Sequence, residues 1–205
     1  MRLPFAAQTG CCSICARPVE GFSGGYVCDE CKRRRPSFDS AAVALRFEGH
    51  ARDMILDFKF NRHLWLRDDF SDWLEAAVRA RFDVSSIDAV LPMPASVVHR
   101  WDRGYNQCDP LARILSRRIG RRFDAQALSR RGGVRRQASL NEIERMENVK
   151  NSFKVERPAF VRGRTLLLVD DILTTGSTLS EASCELKRAG AYRVLVAVLA
   201  RSIRD

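Results

Sequence analysis

The segment Leu166-Leu167-Leu168-Val169-Asp170-Asp171-Ile172-Leu173-Thr174-Thr175-Gly176-Ser177-Thr178 restricts the fold of this chain more than any other. Four consecutive aliphatic residues read as a strand buried on both faces, the pattern of a parallel sheet. The strand ends in two adjacent carboxylates, followed by small hydroxylated residues around one glycine. An amphipathic helix comes next, with Leu179, Ala182, Leu186 and Ala189 on one face and Gly190 placed to end it. A loop leading from a strand into a helix N-terminus offers backbone N–H groups and the positive end of a helix dipole, which together suit a phosphate. Thr174, Thr175, Ser177 and Thr178 add hydroxyl donors, and Gly176 lets the backbone approach closely. Asp170 and Asp171 would repel the same phosphate. They match vicinal hydroxyls or a divalent cation about one sugar-width away.

Apolar strands alternate with amphipathic helices over the rest of the chain. Strands are expected over 41–47, 87–91, 166–169 and 194–199, and helices over 51–60 and 66–82. A further helix starts at Asp109-Pro110 and carries Leu111, Ile114, Leu115 and Ile119 as its buried stripe. This order predicts an α/β fold with a parallel sheet and right-handed crossovers. Ligands of such sheets sit beyond the C-terminal ends of the strands, so the loops after Leu91 and Val169 converge on one crevice. Residues 129–151 lack a sustained apolar face and read as a long loop or a mobile hairpin.

With 205 residues, 45% of them hydrophobic, the chain can bury one full core and a small appendage. The appendage is legible in the cysteines, five of which fall within the first 31 residues. Cys12 and Cys15 form one C-x-x-C pair, and Cys28 and Cys31 form a second, twelve residues further on. Two such knuckles complete a tetrahedral sulfur site suited to zinc, with Gly21, Gly24 and Gly25 fitting the hairpin of a zinc ribbon. Cys11 adjoins Cys12 and is an alternative ligand. A disulfide framework would need an export signal, and residues 1–7 are too short for one. With no apolar run of membrane-spanning length either, the expected location is cytoplasmic. Residues 1–40 hold too little apolar content for a core of their own and are expected to fold around the metal, with 41–205 as the main domain. Cys108 and Cys184 read as small buried hydrophobes.

The net charge is +10, and nine arginines against one acid between Arg113 and Arg136 supply most of it. Such a stretch is an anion or nucleic-acid footprint, or else a solvated helix face followed by a loop. Arg100 and Arg103, in the loop after Pro94, would lie near a second phosphate and neutralise a departing pyrophosphate. The polar stretch from Arg130 and Arg131 to Asn148 could fold over a bound sugar pyrophosphate and keep water from a reactive carbon. His50, His63 and His99 show no metal or triad spacing.

The strand–Asp-Asp–loop resembles the signature of type I phosphoribosyltransferases. That resemblance implies phosphoribosyl pyrophosphate as ligand, with Asp170 and Asp171 on the ribose hydroxyls and residues 174–178 cradling the 5′-phosphate. The resemblance sharpens when the motifs are taken in order: the two C-x-x-C pairs, Lys59-Phe60, Pro92-Met93-Pro94, then Arg100 to Gln107, then Gln137, Leu140, Glu144-Arg145, Asn148 and Phe153, and finally the Asp-Asp loop. Over nearly its whole length the chain resembles the ComF family of phosphoribosyltransferase-like proteins. Membership implies a role in DNA uptake during natural transformation, linked to a DNA helicase and primosome components. Two readings follow. In the first, magnesium-bound phosphoribosyl pyrophosphate occupies the 170–178 region with Arg100 beside it, and a nitrogen nucleophile displaces pyrophosphate with Arg103, Arg130 and Arg131 stabilising charge. In the second, a non-catalytic adaptor contacts single-stranded DNA or helicase and primosome proteins through its zinc head and the Arg113–Arg136 cluster. Acceptor specificity is expected from residues 41–80 together with the zinc head.

Overall fold

Aliphatic runs and amphipathic stretches alternate, and the folded chain follows them. The computed structural model describes residues 10–19, 25–60, 63–95, 106–131 and 152–202. The elements begin with α1 (Asp29–Arg33), β1 (Ser40–Arg46), α2 (Gly49–Phe60), α3 (Arg67–Arg81) and β2 (Ala89–Pro92). They continue with α4 (Cys108–Arg118), β3 (Arg122–Phe123), β4 (Leu128–Arg130), β5 (Phe153–Val155) and α5 (Pro158–Val161). The chain closes with β6 (Thr165–Leu173), α6 (Ser177–Arg188) and β7 (Arg193–Arg201). Five strands form one sheet in the order β1-β7-β6-β2-β3, and every neighbouring pair is parallel.

The central strands are buried on both sides, which is why they read as unbroken aliphatic runs. Leu166 and Leu168 face one side with Val194 and Val196, while Leu167 and Val169 face the other with Leu195 and Ala197. On the first side α6, β5 and the cysteine-rich segment cover the sheet, through Leu179, Leu186, Phe153 and Ile14. On the second side α2, α3 and α4 cover it, through Phe58, Phe70, Leu74, Leu111 and Leu115. Each fully buried Leu or Phe here contributes roughly 1.5–3 kcal/mol. Helix α6 ends as its sequence reads: Gly190 takes φ +93°, Gly190 N–H donates to Lys187 O and Ala191 N–H to Leu186 O, which satisfies the last carbonyls.

Several boundaries differ from those expected. The strand expected to stop at Val169 continues to Leu173, because β7 reaches Arg201 and keeps pairing with it, Asp170 opposite Val198 and Ile172 opposite Ala200. Both carboxylates therefore sit on a strand end and not on a loose loop. Helix α4 begins one residue before Asp109, at Cys108. The long polar region contributes two short arms, β4 and β5, paired antiparallel with Arg130 opposite Phe153. Residues 132–151, including the Gln137 to Asn148 pattern, lie outside the described residues, as do 96–105. Residues 41–80 build the body of the fold: β1 is an edge strand, and α2 and α3 pack on the sheet.

Candidate ligand-binding site and metal centre

Beyond the C-terminal ends of β2 and β6, in front of α6, lies a hollow of about 310 Å³. Thr174, Gly176, Ser177 and Thr178 line it, and so do Asp170 and Asp171. Further polar side chains reach it from distant parts of the chain: Lys59 from α2, Asn106 and Gln107 just before α4, and Arg130 from β4. Donor loop and acids thus share one cavity.

The two acids have different surroundings. Asp171 is 4% exposed. Its Oδ2 receives Lys59 Nζ at 2.6 Å and Gln107 Nε2 at 2.8 Å, and its Oδ1 accepts the Ile172 N–H at 2.7 Å. Asp170 is half-buried. Its Oδ1 accepts the Asp171 N–H at 2.9 Å and lies 3.5 Å from Cys108 Sγ. Burial, and then the neighbouring Asp171 charge, push Asp170 up to about 7. Burial, followed by the charges of Asp170 and Asp171, raises Cys108 well above its ordinary value, so it is a protonated thiol. Burial lowers Arg130 and the charge of Asp170 opposes that change, which puts cation and acid in one electrostatic neighbourhood.

The loop is held in the shape a phosphate site needs. Gly176 takes φ +78° immediately before α6. A Cβ there would stand 3.2 Å from Leu173 Cδ1 and 3.6 Å from Phe38 Cε1. Gly176→Ala is therefore expected to cost about 1–2 kcal/mol from the left-handed backbone alone, read as a lower denaturant midpoint at unchanged m-value. Unchanged stability would mean that the loop relaxes freely. The first N–H groups of α6 have no helical partners of their own, and Ser177 and Thr178 belong to that first turn.

Not every expected residue converges here. Thr175 is exposed, with its Oγ1 3.0 Å from Ser177 Oγ. Arg131 is also exposed, and its Nε donates to Phe153 O at 3.0 Å, so Arg130 and not Arg131 faces the hollow. Arg100 and Arg103 lie outside the described residues. In the basic cluster Arg118 pairs with Asp72 and Glu75, and Arg113 stacks on Phe123 at 4.4 Å, so part of that charge is already engaged within the fold.

The cysteine pairs do come together. The sulfurs of Cys12, Cys15, Cys28 and Cys31 all lie within 4.8 Å of one another, and those of Cys15 and Cys28 are 3.6 Å apart. A tetrahedral zinc with Zn–S bonds of about 2.3 Å needs S···S edges of about 3.8 Å, so the cluster is of the right size. Cys12 and not Cys11 belongs to this cluster: the Cys28 N–H points at Cys12 Sγ at 3.3 Å, while Cys11 Sγ lies 3.9 Å from Arg81 Nη1. Of the three glycines expected in the hairpin, Gly25 takes φ +72°, and Gly21 and Gly24 lie outside the described residues. The charge around the sulfurs also fits a metal. The Cys15 hydrogen bond lowers Cys12 to about 4, whereas burial raises Cys31 to about 12. Two arginines stand ready for an anionic sulfur set. Arg81 donates to the carbonyls of Cys12 and Ser13 at 3.2 and 2.7 Å, and buried Arg201 to that of Cys15 at 2.8 Å. Arg201 has no carboxylate partner among the described residues, and its Nε is unsatisfied.

The family model of the phosphoribosyl transferase domain matches residues 106–205. Competence protein F of Haemophilus influenzae is 30% identical over 96% of this chain and 92% of its own length. The chain belongs to the ComF family. The DNA utilization protein YhgH of Escherichia coli is likewise 30% identical to this ComF-family protein, over 98% of the chain and 95% of the relative. The solved structure of glutamine phosphoribosylpyrophosphate amidotransferase from B. subtilis, complexed with ADP and GMP, shows a TM-score of 0.43 at 19% identity, covering 63% of this chain and 25% of that one. The fold of the ComF-family chain is that of a phosphoribosyltransferase domain with a cysteine cluster at its N-terminal end. No helix among the described residues is long and apolar enough to cross a membrane.

Sequence reasoning missed the clamp on Asp171. Lys59 and Gln107 entered only as letters of an ordered motif, and no local spacing ties either of them to an acid 64 or more residues away. Cys108 is buried as expected, but it lies against Asp170 in addition to packing in the core.

Proposed function

We propose that the hollow binds magnesium-bound phosphoribosyl pyrophosphate. Thr174, Gly176, Ser177 and Thr178 receive the 5′-phosphate, the Asp170–Asp171 end receives the ribose hydroxyls, and Arg130, joined by Arg100 and Arg103, receives the pyrophosphate. The observation that carries this reading is the placement of a donor-rich helix start and paired acids on one cavity. Its volume lies at the small end of the range for small-molecule sites. In the reaction that fits this arrangement, a nitrogen lone pair forms a bond to C1 of the ribose as the bond from C1 to the pyrophosphate oxygen breaks. Pyrophosphate leaves with that electron pair. Positioning and charge stabilisation supply most of the acceleration, and a dedicated acid–base residue is not required.

Zinc held by Cys12, Cys15, Cys28 and Cys31 would supply folding energy to the N-terminal module of residues 1–40. The names of the relatives support a place for this activity in DNA uptake or use. Exposed arginines on α4 such as Arg117 offer a contact for single-stranded DNA or for a helicase or primosome partner.

Calorimetric titration of the intact protein with phosphoribosyl pyrophosphate and magnesium tests the ligand. The expected result is saturable one-site binding that ribose 5-phosphate competes away. Absence of binding at millimolar ligand overturns the reading.

A further inference from the structure

One short segment of chain ties the cysteine cluster to the phosphate loop. Where it enters β1, Ala41 N–H donates to Ile14 O and Ser40 Oγ to Ser13 O, both at 2.8 Å, so it grips the Cys12–Cys15 turn. Before that, Ser37 N–H donates to Ser180 Oγ at 2.9 Å, and Ser180 N–H donates to Gly176 O in the loop at 2.8 Å. Asp39 pins the stretch between: Oδ1 accepts Lys187 Nζ and Oδ2 the Val194 N–H, each at 2.8 Å. Phe38, 2% exposed, is thereby turned onto the loop. Chain neighbours aside, the atoms nearest to a Cβ built on Gly176 belong to Leu173 and to the Phe38 ring. The ring is not among the residues lining the hollow, so it backs the loop from within the core. A second tie runs through β7. Arg201 is the sheet partner of Leu173, Ser202 N–H donates to Leu173 O at 3.0 Å, and Arg201 Nη1 donates to Cys15 O at 2.8 Å.

We propose that Phe38 is a positioning residue for the phosphate loop and that, through it, metal in the cysteine cluster raises the affinity of the hollow for a sugar phosphate. A site built from backbone N–H groups binds well only if those donors are already aimed, because ordering them afterwards is subtracted from the binding free energy. Phe38, Leu173, Ile14 and the four cysteines share one apolar cluster. Loss of the metal loosens the turn at 12–15, then residues 37–41 that hang on it, and then the ring behind Gly176. The loop keeps its donors but must be ordered by the ligand itself. Linkage makes the effect reciprocal: a sugar phosphate tightens the hold of the cluster on zinc by the factor by which zinc tightens the hollow. This inference rests on the reading of the hollow as a sugar phosphate site and adds its regulation.

The test titrates zinc out of the intact protein with a chromogenic chelator, with and without saturating ribose 5-phosphate, and calorimetry gives the affinity for the sugar phosphate. Zinc affinity in wild type is expected to rise about fivefold to a hundredfold when the sugar phosphate is present, the usual span of coupling between two sites. Phe38→Leu keeps an apolar side chain but removes the ring. It is expected to hold zinc as wild type does without ligand, to bind ribose 5-phosphate more weakly, and to cut the coupling to about twofold or less. Ser180→Ala breaks the tie to Ser37 without opening the core and is expected to cut the coupling partway. It carries the test if Phe38→Leu fails to fold. Ile87→Val, in the core on the other face of the sheet, controls for lost stability alone and is expected to leave the coupling intact. Zinc affinity that ignores a bound sugar phosphate overturns the coupling and leaves the hollow as a site, and a wild type that takes up no zinc does the same. Coupling that survives Phe38→Leu and Ser180→Ala, or falls equally in Ile87→Val, overturns the role of Phe38. A wild type that binds no ribose 5-phosphate overturns the reading of the hollow itself.

Discussion

Cys28→Ser is expected to leave the protein without its metal and to lower its thermal midpoint by about 10 °C or more. Structural zinc in sites of this kind binds with about 10–16 kcal/mol of apparent free energy. Each kcal/mol lost moves the midpoint of a chain of this size by about 2–4 °C. The effect is not confined to the N-terminal turn. Ile14 and the four cysteines pack in the same apolar cluster as Val43, Leu166, Leu168, Leu186 and Val196, so their departure exposes one face of the central sheet. The turn is also pinned from the body of the fold: Ala41 N–H donates to Ile14 O at 2.8 Å, Ser40 Oγ to Ser13 O at 2.8 Å, and Arg81 and Arg201 to the neighbouring carbonyls. Elemental analysis for zinc and scanning calorimetry with and without a strong chelator measure the expected change. A wild-type protein that carries no zinc and melts identically with chelator would sink the metal reading and leave the cluster as buried thiols.

Asp170→Asn is expected to stabilise the ligand-free protein while removing the pH response of sugar phosphate binding. The carboxyl is raised from its ordinary value of 3.8 to about 7, by burial first and by the Asp171 charge second. Below about pH 4 it is protonated in both the folded and the unfolded chain, and its environment costs nothing. Between about pH 4 and 7 the unfolded chain ionises and the folded protein keeps its proton, so each step upward favours unfolding. Above about pH 7 the cost is complete. The gain in thermal midpoint from asparagine should therefore be larger at pH 8 than at pH 5. Equal gains at the two pH values would mean that Asp170 is not raised. Ligand binding should respond in the opposite sense in wild type. The ionised fraction of a group with a pKa near 7 rises about tenfold between pH 6 and pH 8, and a carboxylate accepting two hydroxyls is the ionised form. Affinity should rise with it in wild type and stay level in the asparagine variant. Asp170 is thus an acid that the ligand-free fold holds at a cost.

The parts of the site that were legible are those whose geometry is local. A C-x-x-C turn places two sulfurs together whatever surrounds it, and a strand–acid–glycine–helix segment shapes its own loop. Other features escaped because they depend on neighbours. The acids read as the start of a loop because charged residues normally end a buried strand, and only pairing with β7 keeps Asp170 and Ile172 in the sheet. Arg130 and Arg131 are equal in sequence, but pairing of β4 with β5 turns one toward the hollow and leaves the other on the backbone of Phe153. Cys11 and Cys12 were likewise interchangeable until the Cys28 amide and Arg81 separated them.

By itself the sequence determined the α/β class, the family, the sulfur cluster and the phosphate-type loop, since each is written in residues a few positions apart whose contacts the backbone enforces. Tertiary structure alone decided what Asp171 does. Lys59 reaches it from α2 and Gln107 from the residue just before α4, across a sheet whose strand order differs from the chain order. No spacing along the chain specifies a meeting made by packing, and that meeting gives two identical acids different surroundings, Asp171 bonded on both oxygens and Asp170 on one.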